Sequence, residues 1–214
     1  MTKLTVLFSA AAIATLVLAG CSGGSSSTST STTTGAQPEV THTAVMKTSM
    51  GEMEIELYGK DAPKAVENFV KLANQGFYKD ILFHRVVPGF VIQAGDPKTK
   101  DPALVADWGT GGNSIYPGIL FQDELNPKAP SYPLGYREGC LAMANSGPNT
   151  NTSQFFVVLD NNVKERLPHN YTIFGFVRSG MDVAHKIERV KLGGATGQMP
   201  MQPVKILSIE AEAK

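Results

Sequence analysis

The most informative stretch of the chain is FHRVVPGFVIQAGD, which occupies residues 83–96. Its first half alternates with the two-residue period of a β-strand, and a Pro-Gly turn separates it from a second short apolar run. The alternation puts Arg85 on the same side as Phe83 and Val87, two residues that are not typical of a solvent-facing position. Because arginine keeps its charge in proteins, a guanidinium among apolar side chains requires a hydrogen-bond acceptor or a ligand.

A second informative stretch, MANSGPNTNTSQFF, occupies residues 143–156. Its centre is rich in Asn, Thr, Ser and Gly, so we expect a polar loop that offers exposed backbone groups. The stretch then returns to the core at Phe155 and Phe156. The two stretches are the candidates for the functional site.

The residues around them predict a mostly β fold. Glu and apolar residues alternate over residues 52–57, which predicts a half-buried strand. We expect Asp61 to cap a helix that has Pro63 in its first turn and ends at Gly76, and a second helix over Met181–Val190. Further strands are predicted at Phe83–Val87, Phe90–Gln93, Gly139–Met143, Phe155–Leu159, Tyr171–Val177 and Val204–Ala211. Many strands with two separated helices favour a closed antiparallel β-barrel capped by two α-helices.

The amino-acid composition argues against several classes of function. The 214 residues suffice for one globular domain, and 19 basic residues balance 19 acidic ones. Non-specific nucleic-acid binding requires a surplus of Lys and Arg, so the balance argues against a nucleic-acid partner. Two cysteines cannot form a disulfide-rich scaffold or a four-cysteine zinc site.

Common catalytic motifs are absent, including HExxH, CxxC, GxSxG and GxxxxGK[ST]. The glycine-rich segment at residues 109–114 lacks the lysine of a phosphate loop, so we interpret it as a turn. The four histidines show no metal-ligand spacing, and no metal is predicted. We expect His84 to be a hydrogen-bonded core histidine and Cys140 a buried, inert thiol.

The two stretches resemble the signature sequences of the cyclophilins, the cyclosporin-binding class of peptidyl-prolyl cis-trans isomerases. The similarity extends from about Val45 to Ala211. It implies an eight-stranded antiparallel barrel capped by two helices, in agreement with the pattern of strands and helices. It also implies isomerisation of the bond that precedes proline, with Arg85 donating a hydrogen bond to the prolyl nitrogen in the twisted transition state. That chemistry requires no nucleophile, metal or cofactor.

The resemblance also implies roles for other residues. Gln93 would orient Arg85 and contact the substrate carbonyl, and Gly109 would line a neighbouring side-chain site. The backbone of Ala144, Asn145 and Ser146 would pair with the extended peptide. The apolar pocket for the proline ring would comprise Phe90, Val91, Phe156 and Leu167.

Three departures from the family pattern limit this transfer. Arg166 precedes Leu167 where many cyclophilins have a tryptophan, so cyclosporin binding is expected to be weakened. Tyr171 replaces a histidine that bonds the substrate carbonyl, and its hydroxyl can donate the same bond. The connection at residues 97–108 is long and carries Leu104, Val105 and Trp108. We expect a surface loop with its apolar residues tucked down; the alternative is a lip that selects substrates.

The beginning of the chain predicts export. Lys3 precedes an uncharged apolar run over residues 4–18, which suits a secretory signal and is short for a membrane span. The run ends in Leu18-Ala19-Gly20-Cys21, which resembles a bacterial lipobox. That resemblance implies cleavage after residue 20 and lipid on Cys21, which would anchor the protein to a membrane. The alternative is a plain secretory signal with an incidental cysteine.

We therefore predict three segments: a lipoprotein signal peptide at 1–20, a lipidated cysteine and disordered Ser/Thr/Gly-rich tether at 21–38, and an isomerase domain at 39–214. The predicted function is to isomerise proline bonds in exported or unfolded proteins at the outer face of the cell membrane. The alternative from another class is a surface module that binds proline peptides without catalysis. An intact Arg85 favours the enzyme, because binding alone would not require that cation.

Overall fold

A computed structural model describes residues 36–163 and 166–214. The predicted signal peptide, Cys21 and most of the predicted tether lie outside these residues. The strands are β1 (His42–Thr48), β2 (Gly51–Leu57), β3 (Arg85–Val87), β4 (Val91–Ala94), β5 (Cys140–Met143), β6 (Phe155–Val158), β7 (Ile173–Ser179), β8 (Leu192–Gly193), β9 (Met199–Pro200) and β10 (Ile206–Ala213). The helices are α1 (Pro63–Asn74) and α2 (Met181–Glu188), and two 3-10 segments span Pro97–Lys100 and Pro102–Asp107.

Eight strands form one antiparallel sheet in the order β10-β1-β2-β7-β5-β6-β4-β3, and β8 pairs with β9. The predicted strand number is confirmed, but the closed barrel is wrong. In the described ranges no ladder joins the edge strands β3 and β10. An isolated bridge between Leu82 and Lys205 and single hydrogen bonds, such as Phe83 N–H to Val204 O at 2.9 Å, connect the segments that precede them. The sheet is a curled half-barrel, and its edge strand β3 is only three residues long.

The alternation predicted for β2 is confirmed. Met53, Ile55 and Leu57 are buried, whereas Glu52 and Glu54 are exposed. Successive side chains of a strand point to opposite faces, so the apolar set faces the core and the glutamates face solvent. Because the apolar face of β2 must stay in the core, it determines the register in which β1 and β7 pair with β2.

Helix α1 is confirmed, but its predicted cap is wrong. Its inner face buries Val66 and Phe69 in the core, and a left-handed Gly76 (φ +71°) follows its end. The Asp61 carboxylate accepts instead from Ser131 N–H at 2.7 Å. The first N–H groups of the helix donate to the Glu124 carboxylate, which accepts from residues 64 and 65 at 2.9 and 3.0 Å. A carboxylate from a distant loop therefore satisfies the helix terminus.

Two hydrophobic clusters lie on opposite faces of the central strands, so every residue of β5 and β6 is buried. The larger cluster contains the inner faces of both helices. The smaller cluster contains Val91, Phe156 and Leu167, with Phe90 and Tyr171 packed at its margin. This smaller cluster supports the apolar part of the candidate site.

Cys140 belongs to the smaller cluster and is fully buried. Burial raises the pKa of its thiol to about 12, so the sulfur is protonated at neutral pH and is a poor nucleophile. The predicted burial of this thiol is confirmed.

No helix in the two described ranges has the length and apolar character that crossing a bilayer requires. These ranges likewise contain no group of three or more His, Cys, Asp or Glu side chains arranged to hold a metal ion.

Helix α2 is two residues shorter than predicted and carries a partly exposed ionic link. His185 Nδ1 lies 2.7 Å from Glu188 Oε2, and its Nε2 lies 2.8 Å from Glu138 Oε1. Hydrogen bonds to Glu188 and Glu138 raise the pKa of His185. Burial alone would raise the pKa of Glu188, but hydrogen bonds from Gly89 N–H and His185 lower it. The link ties α2 to the segment before β5 and to the turn before β4.

This link predicts a pH-dependent stability. The His185 contribution is fully present below the unfolded histidine pKa of about 6.5 and is lost as pH rises through the raised folded pKa. The Glu188 contribution is present above the unfolded pKa of about 4.5 and is lost as pH falls through its lowered folded pKa. His185→Gln should therefore lower the melting temperature more at pH 6 than at pH 9, measured by differential scanning calorimetry.

The control is Lys186→Gln, which removes only the exposed ion pair with Asp182. This variant should change the melting temperature little at either pH. An equal loss for His185→Gln at pH 6 and pH 9 would contradict the ionic role of His185.

Candidate active site

The site begins at the β3–β4 hairpin. Residues of β3 and β4 pair so that Arg85 lies directly opposite Gln93. Partners across an antiparallel ladder point to the same face, so both side chains reach the same side of the sheet. The turn between the strands has a left-handed Gly89 (φ +62°), and Phe90 N–H closes it by donating to Val87 O at 3.0 Å. The predicted pair of strands around a Pro-Gly turn is confirmed.

Arg85 is half-buried and is held by two side-chain amides. Its Nε donates to Gln198 Oε1 at 2.8 Å, and its Nη1 donates to Gln93 Oε1 at 3.2 Å. Burial lowers the pKa of the guanidinium, which still stays charged at neutral pH. No carboxylate in the described ranges forms an ion pair with it. The sheltered cation therefore has neutral acceptors and retains its full charge.

A cavity of about 400 Å³ with both apolar and polar walls lies beside this guanidinium. Val91 and Phe156 come from the paired strands β4 and β6, and Leu167 closes the cavity from the loop before β7. The Phe156 ring meets the Tyr171 ring edge to face at 5.4 Å. The complete lining is Arg85, Phe90, Val91, Gln93, Ala144, Asn145, Phe156, Arg166, Leu167 and Tyr171. The structure thus brings together nine of the predicted site residues, and Arg166 with them.

A polar relay connects the cavity to the glycine-rich segment. Gln93 Nε2 donates to Gln154 Oε1 at 2.9 Å, and Gln154 Nε2 donates to the carbonyls of Gly109 and Gly111 at 2.9 and 2.6 Å. The buried Asp96 carboxylate accepts from the N–H groups of the same two glycines at 2.6 and 3.1 Å. A Cβ at Gly111 would collide with Asp96 Oδ1, which explains why glycine fits there. The predicted turn is confirmed, and it is held from both sides.

The glycine-rich segment lines a second cavity of about 510 Å³. Gly109 and Ser146 line this cavity, and Gln93, Ala144 and Asn145 line both cavities. Ile119 and Leu120, which no motif marks, also line this cavity and are 46% and 52% exposed. The two cavities form one groove, because their walls share three residues.

The predicted peptide-pairing backbone is only partly available. Ala144 N–H donates to Gln154 O at 2.9 Å, and Ser146 N–H donates to Thr150 Oγ1 at 2.8 Å. Asn145 differs, because neither its N–H nor its C=O has a partner in the described part of the chain. The Asn145 side chain donates to Asn170 O at 3.0 Å, which fixes the loop. Of the three N–H groups, that of Asn145 is therefore the one left for a peptide.

Arg166 lies at the rim of the 400 Å³ cavity. Its guanidinium carbon lies 4.3 Å from the centre of the Phe90 ring, and its Nη1 donates to Gly89 O at 3.1 Å. A cation stacked on an aromatic ring contributes modestly at an exposed position. Arg166 thus covers Phe90 with a flat, charged group, where an indole would offer an apolar surface and one N–H donor.

Two predictions near the groove need correction. His84 is buried, but neither ring nitrogen has a partner among the residues described, so it is not the hydrogen-bonded core histidine that we expected. Burial lowers the pKa of its ring, which is neutral. Leu104 and Val105 are 38% and 46% exposed and line neither cavity, so they are not tucked down. Trp108 is anchored by donating to Asp101 O at 3.2 Å.

Sequence reasoning missed two residues of the Arg85 network. Gln154 belongs to a stretch that was singled out, but its separation of 61 residues from Gln93 concealed the contact. Gln198 lies 113 residues from Arg85 in a glycine-rich loop that carries no motif. Only the three-dimensional structure shows that Gln198 belongs to the site.

The arrangement can hold an apolar ring in contact with a fixed cation. The Cys140 thiol is protonated and His84 is sheltered, so neither supplies a nucleophile or a base. A hydrogen-bond donor that keeps its charge can stabilise a lone pair that appears during reaction. Such chemistry breaks no covalent bond.

Comparison with known proteins gives the family. The model described as cyclophilin type peptidyl-prolyl cis-trans isomerase/CLD matches residues 43–211. A relative from Aspergillus fumigatus, peptidyl-prolyl cis-trans isomerase-like 1, is 42% identical over 76% of this chain and 91% of its own. The Arabidopsis thaliana isomerase CYP18-2 is 40% identical over 81% of this chain and 93% of its own.

Comparison with solved structures gives the same family as comparison of sequences. A cyclophilin type isomerase of Cryptosporidium parvum superposes with a TM-score of 0.69 at 33% identity, covering 81% of this chain and 99% of its own. The same protein crystallised in the presence of the dipeptide Ala-Pro superposes with a TM-score of 0.68. A sheltered arginine beside a cavity with apolar walls is thus found on a backbone shared with proline isomerases. The chain belongs to the cyclophilin-type peptidyl-prolyl cis-trans isomerases.

Proposed function

We propose that Arg85 is the catalytic residue of this isomerase and that it donates a hydrogen bond to the prolyl nitrogen. The observation that carries the proposal is a charged guanidinium, fixed by Gln93 and Gln198, at the wall of a cavity that also has apolar walls and can admit a proline ring. Phe90, which lines the same cavity, contributes an apolar wall against the ring.

The physics of the reaction suits this arrangement. The barrier of about 18–20 kcal/mol arises from amide resonance, which is lost when the bond twists. A twisted amide has a pyramidal nitrogen with a free lone pair, whereas a planar amide offers almost none. A donor aimed at this nitrogen therefore stabilises the transition state more than either ground state, which is the requirement for catalysis.

The substrate is an extended segment of an exported or unfolded protein that contains proline. The proline ring occupies the 400 Å³ cavity, and the backbone groups of Asn145 hold the adjacent peptide. The Tyr171 hydroxyl donates to a substrate carbonyl, and a preceding side chain extends toward the 510 Å³ cavity beside Gly109. The Ala-Pro dipeptide used with the Cryptosporidium relative supports a small proline peptide as the recognised unit.

We also propose that the enzyme is anchored by lipid on Cys21 at the outer face of the cell membrane, where it assists folding of exported proteins. The support is the uncharged run over residues 4–18 followed by Leu-Ala-Gly-Cys. The family match begins at residue 43, so the leader and the Ser/Thr-rich tether lie outside it. The relatives named above are eukaryotic, and this part of the proposal depends on the leader residues alone.

Replacement of Arg85 tests the catalytic role. A hydrogen bond to a charged group contributes about 1.5–3 kcal/mol, so Arg85→Ala should lower kcat/KM by roughly 10- to 150-fold. Peptide affinity should fall much less, because the apolar cavity remains. Arg85→Lys should restore little, since an ammonium cannot reproduce the planar fork held by two amides. A protease-coupled isomerisation assay measures the rates, and NMR titration measures the affinity.

Arg178→Ala is the matched control, because Arg178 is exposed on β7 and its one ion pair among the described residues is with Glu56, at 3.8 Å. It should keep the wild-type rate. A folded Arg85→Ala protein with wild-type kcat/KM would exclude the catalytic role. Wild-type binding of proline peptides without faster exchange in NMR would instead favour the non-catalytic binding module.

Replacement of Cys21 tests the anchor. Cys21→Ser removes the sulfur that carries lipid, and the described helices offer no membrane span. The variant should move from the membrane fraction to the soluble fraction, followed by immunoblot after a high-salt wash. Ser22→Ala, which leaves the thiol, should stay with the membrane. A Cys21→Ser protein retained on the washed membrane would refute lipid anchoring.

Replacement of Arg166 tests the rim. Cyclosporin binding in the family uses a tryptophan there, so the unmodified protein should be inhibited weakly and Arg166→Trp should be inhibited more strongly. Inhibition curves for both proteins give the comparison. Arg178→Trp, which adds the same indole away from both cavities, should not increase inhibition. Tight inhibition of the unmodified protein would show that position 166 does not limit cyclosporin binding.

A further inference from the structure

Gln198 lies on the short hairpin β8–β9, outside the eight-stranded sheet. Its carbonyl accepts from Val86 N–H of the edge strand β3 at 2.7 Å, and its side-chain Oε1 accepts from the neighbouring Arg85 Nε at 2.8 Å. Gln198 therefore accepts hydrogen bonds from both the backbone of β3 and the Arg85 side chain on that strand. The left-handed Gly197 (φ +68°) immediately before it turns the chain back toward β3.

The two acceptors of the guanidinium come from different elements. Gln93 on β4 bonds one Nη1 hydrogen, and Gln198 bonds the Nε hydrogen. A planar group held through two different nitrogens cannot rotate about its last side-chain bonds without breaking one of these contacts. Arginine has five N–H donors, so three remain, including both on Nη2, which has no partner in the described ranges.

We propose that Gln198 is a positioning residue that fixes the orientation of the Arg85 guanidinium and directs its free N–H groups into the proline cavity. The inference rests on the proposed catalytic role of Arg85. Gln93 alone would leave the guanidinium free to swing about a single contact of 3.2 Å. Gln198 supplies the shorter contact and removes that freedom before substrate binds, which is how positioning lowers a barrier.

The decisive variant is Gln198→Met, which keeps the length of the side chain and removes the acceptor. A typical hydrogen bond corresponds to about fivefold in rate, so kcat should fall by about fivefold while KM changes by less than about twofold. Gln198→Glu restores an acceptor at the same distance and should restore the orientation of the guanidinium, but kcat should recover only in part because the carboxylate offsets the Arg85 charge. Thr196→Ala, an exposed change on the same hairpin, should keep the wild-type kcat.

A double-mutant cycle separates positioning from a general structural role. In an Arg85→Ala background, Gln198→Met should have no further effect on kcat, because the group that it positions is gone. The Arg85 Nε–H resonance in a ¹⁵N NMR spectrum gives an independent signature. It should exchange slowly with water in the wild type and in Gln198→Glu, and rapidly in Gln198→Met.

Several outcomes would overturn the inference. These are a folded Gln198→Met protein with wild-type kcat, the same fivefold loss in the Arg85→Ala background, or a rapidly exchanging Arg85 Nε–H in the wild-type protein. The last measurement needs no variant, so it holds even if Gln198→Met fails to fold. A wild-type rate for Arg85→Ala would refute the catalytic role itself, which is a different result from the failure of Gln198 alone.

Discussion

The site depends on a charge that cannot be removed and is not neutralised. Arg85 is half-buried, yet its acceptors in the described ranges are the amide oxygens of Gln93 and Gln198. A carboxylate would satisfy the same N–H groups and offset the cation. Neutral amides satisfy them and leave the charge for the cavity. The cost of sheltering the cation is limited because Arg85 remains partly in contact with solvent.

The rest of the groove is built outward from the same network. Gln93, which holds Arg85, also donates a hydrogen bond to Gln154. Gln154 and the buried Asp96 in turn bond the backbone carbonyls and N–H groups of two glycines, Gly109 and Gly111. Buried polar groups are costly when unsatisfied, so a connected network resists displacement of any one member. The floor of the larger cavity and the orientation of Arg85 are therefore parts of one rigid unit.

Local patterns in the sequence predicted what depends on neighbours along the chain. The alternation of β2, the buried stripe of α1, the turn at Gly89 and the buried Cys140 were all predictable from local spacing and residue type. Contacts between segments that are far apart in the sequence were not predictable in this way. Glu124 rather than Asp61 satisfies the start of α1, and Gln198 reaches Arg85 across 113 residues. The motif residues of the site were found through resemblance, whereas spacing alone could not have assembled them.

The failure of the barrel to close and the location of the site have a common physical origin. An arginine on an interior strand would have backbone ladders on both sides and side chains crowded around it. β3 is an edge strand of three residues, so its free edge has room for the β8–β9 hairpin and Gln198. That hairpin satisfies an edge N–H at Val86, which protects the edge from pairing with other chains. Because the outer edge of β3 is open, Gln198 can approach from outside the sheet. Its side-chain oxygen accepts the hydrogen bond from Arg85 Nε and thereby fixes the guanidinium.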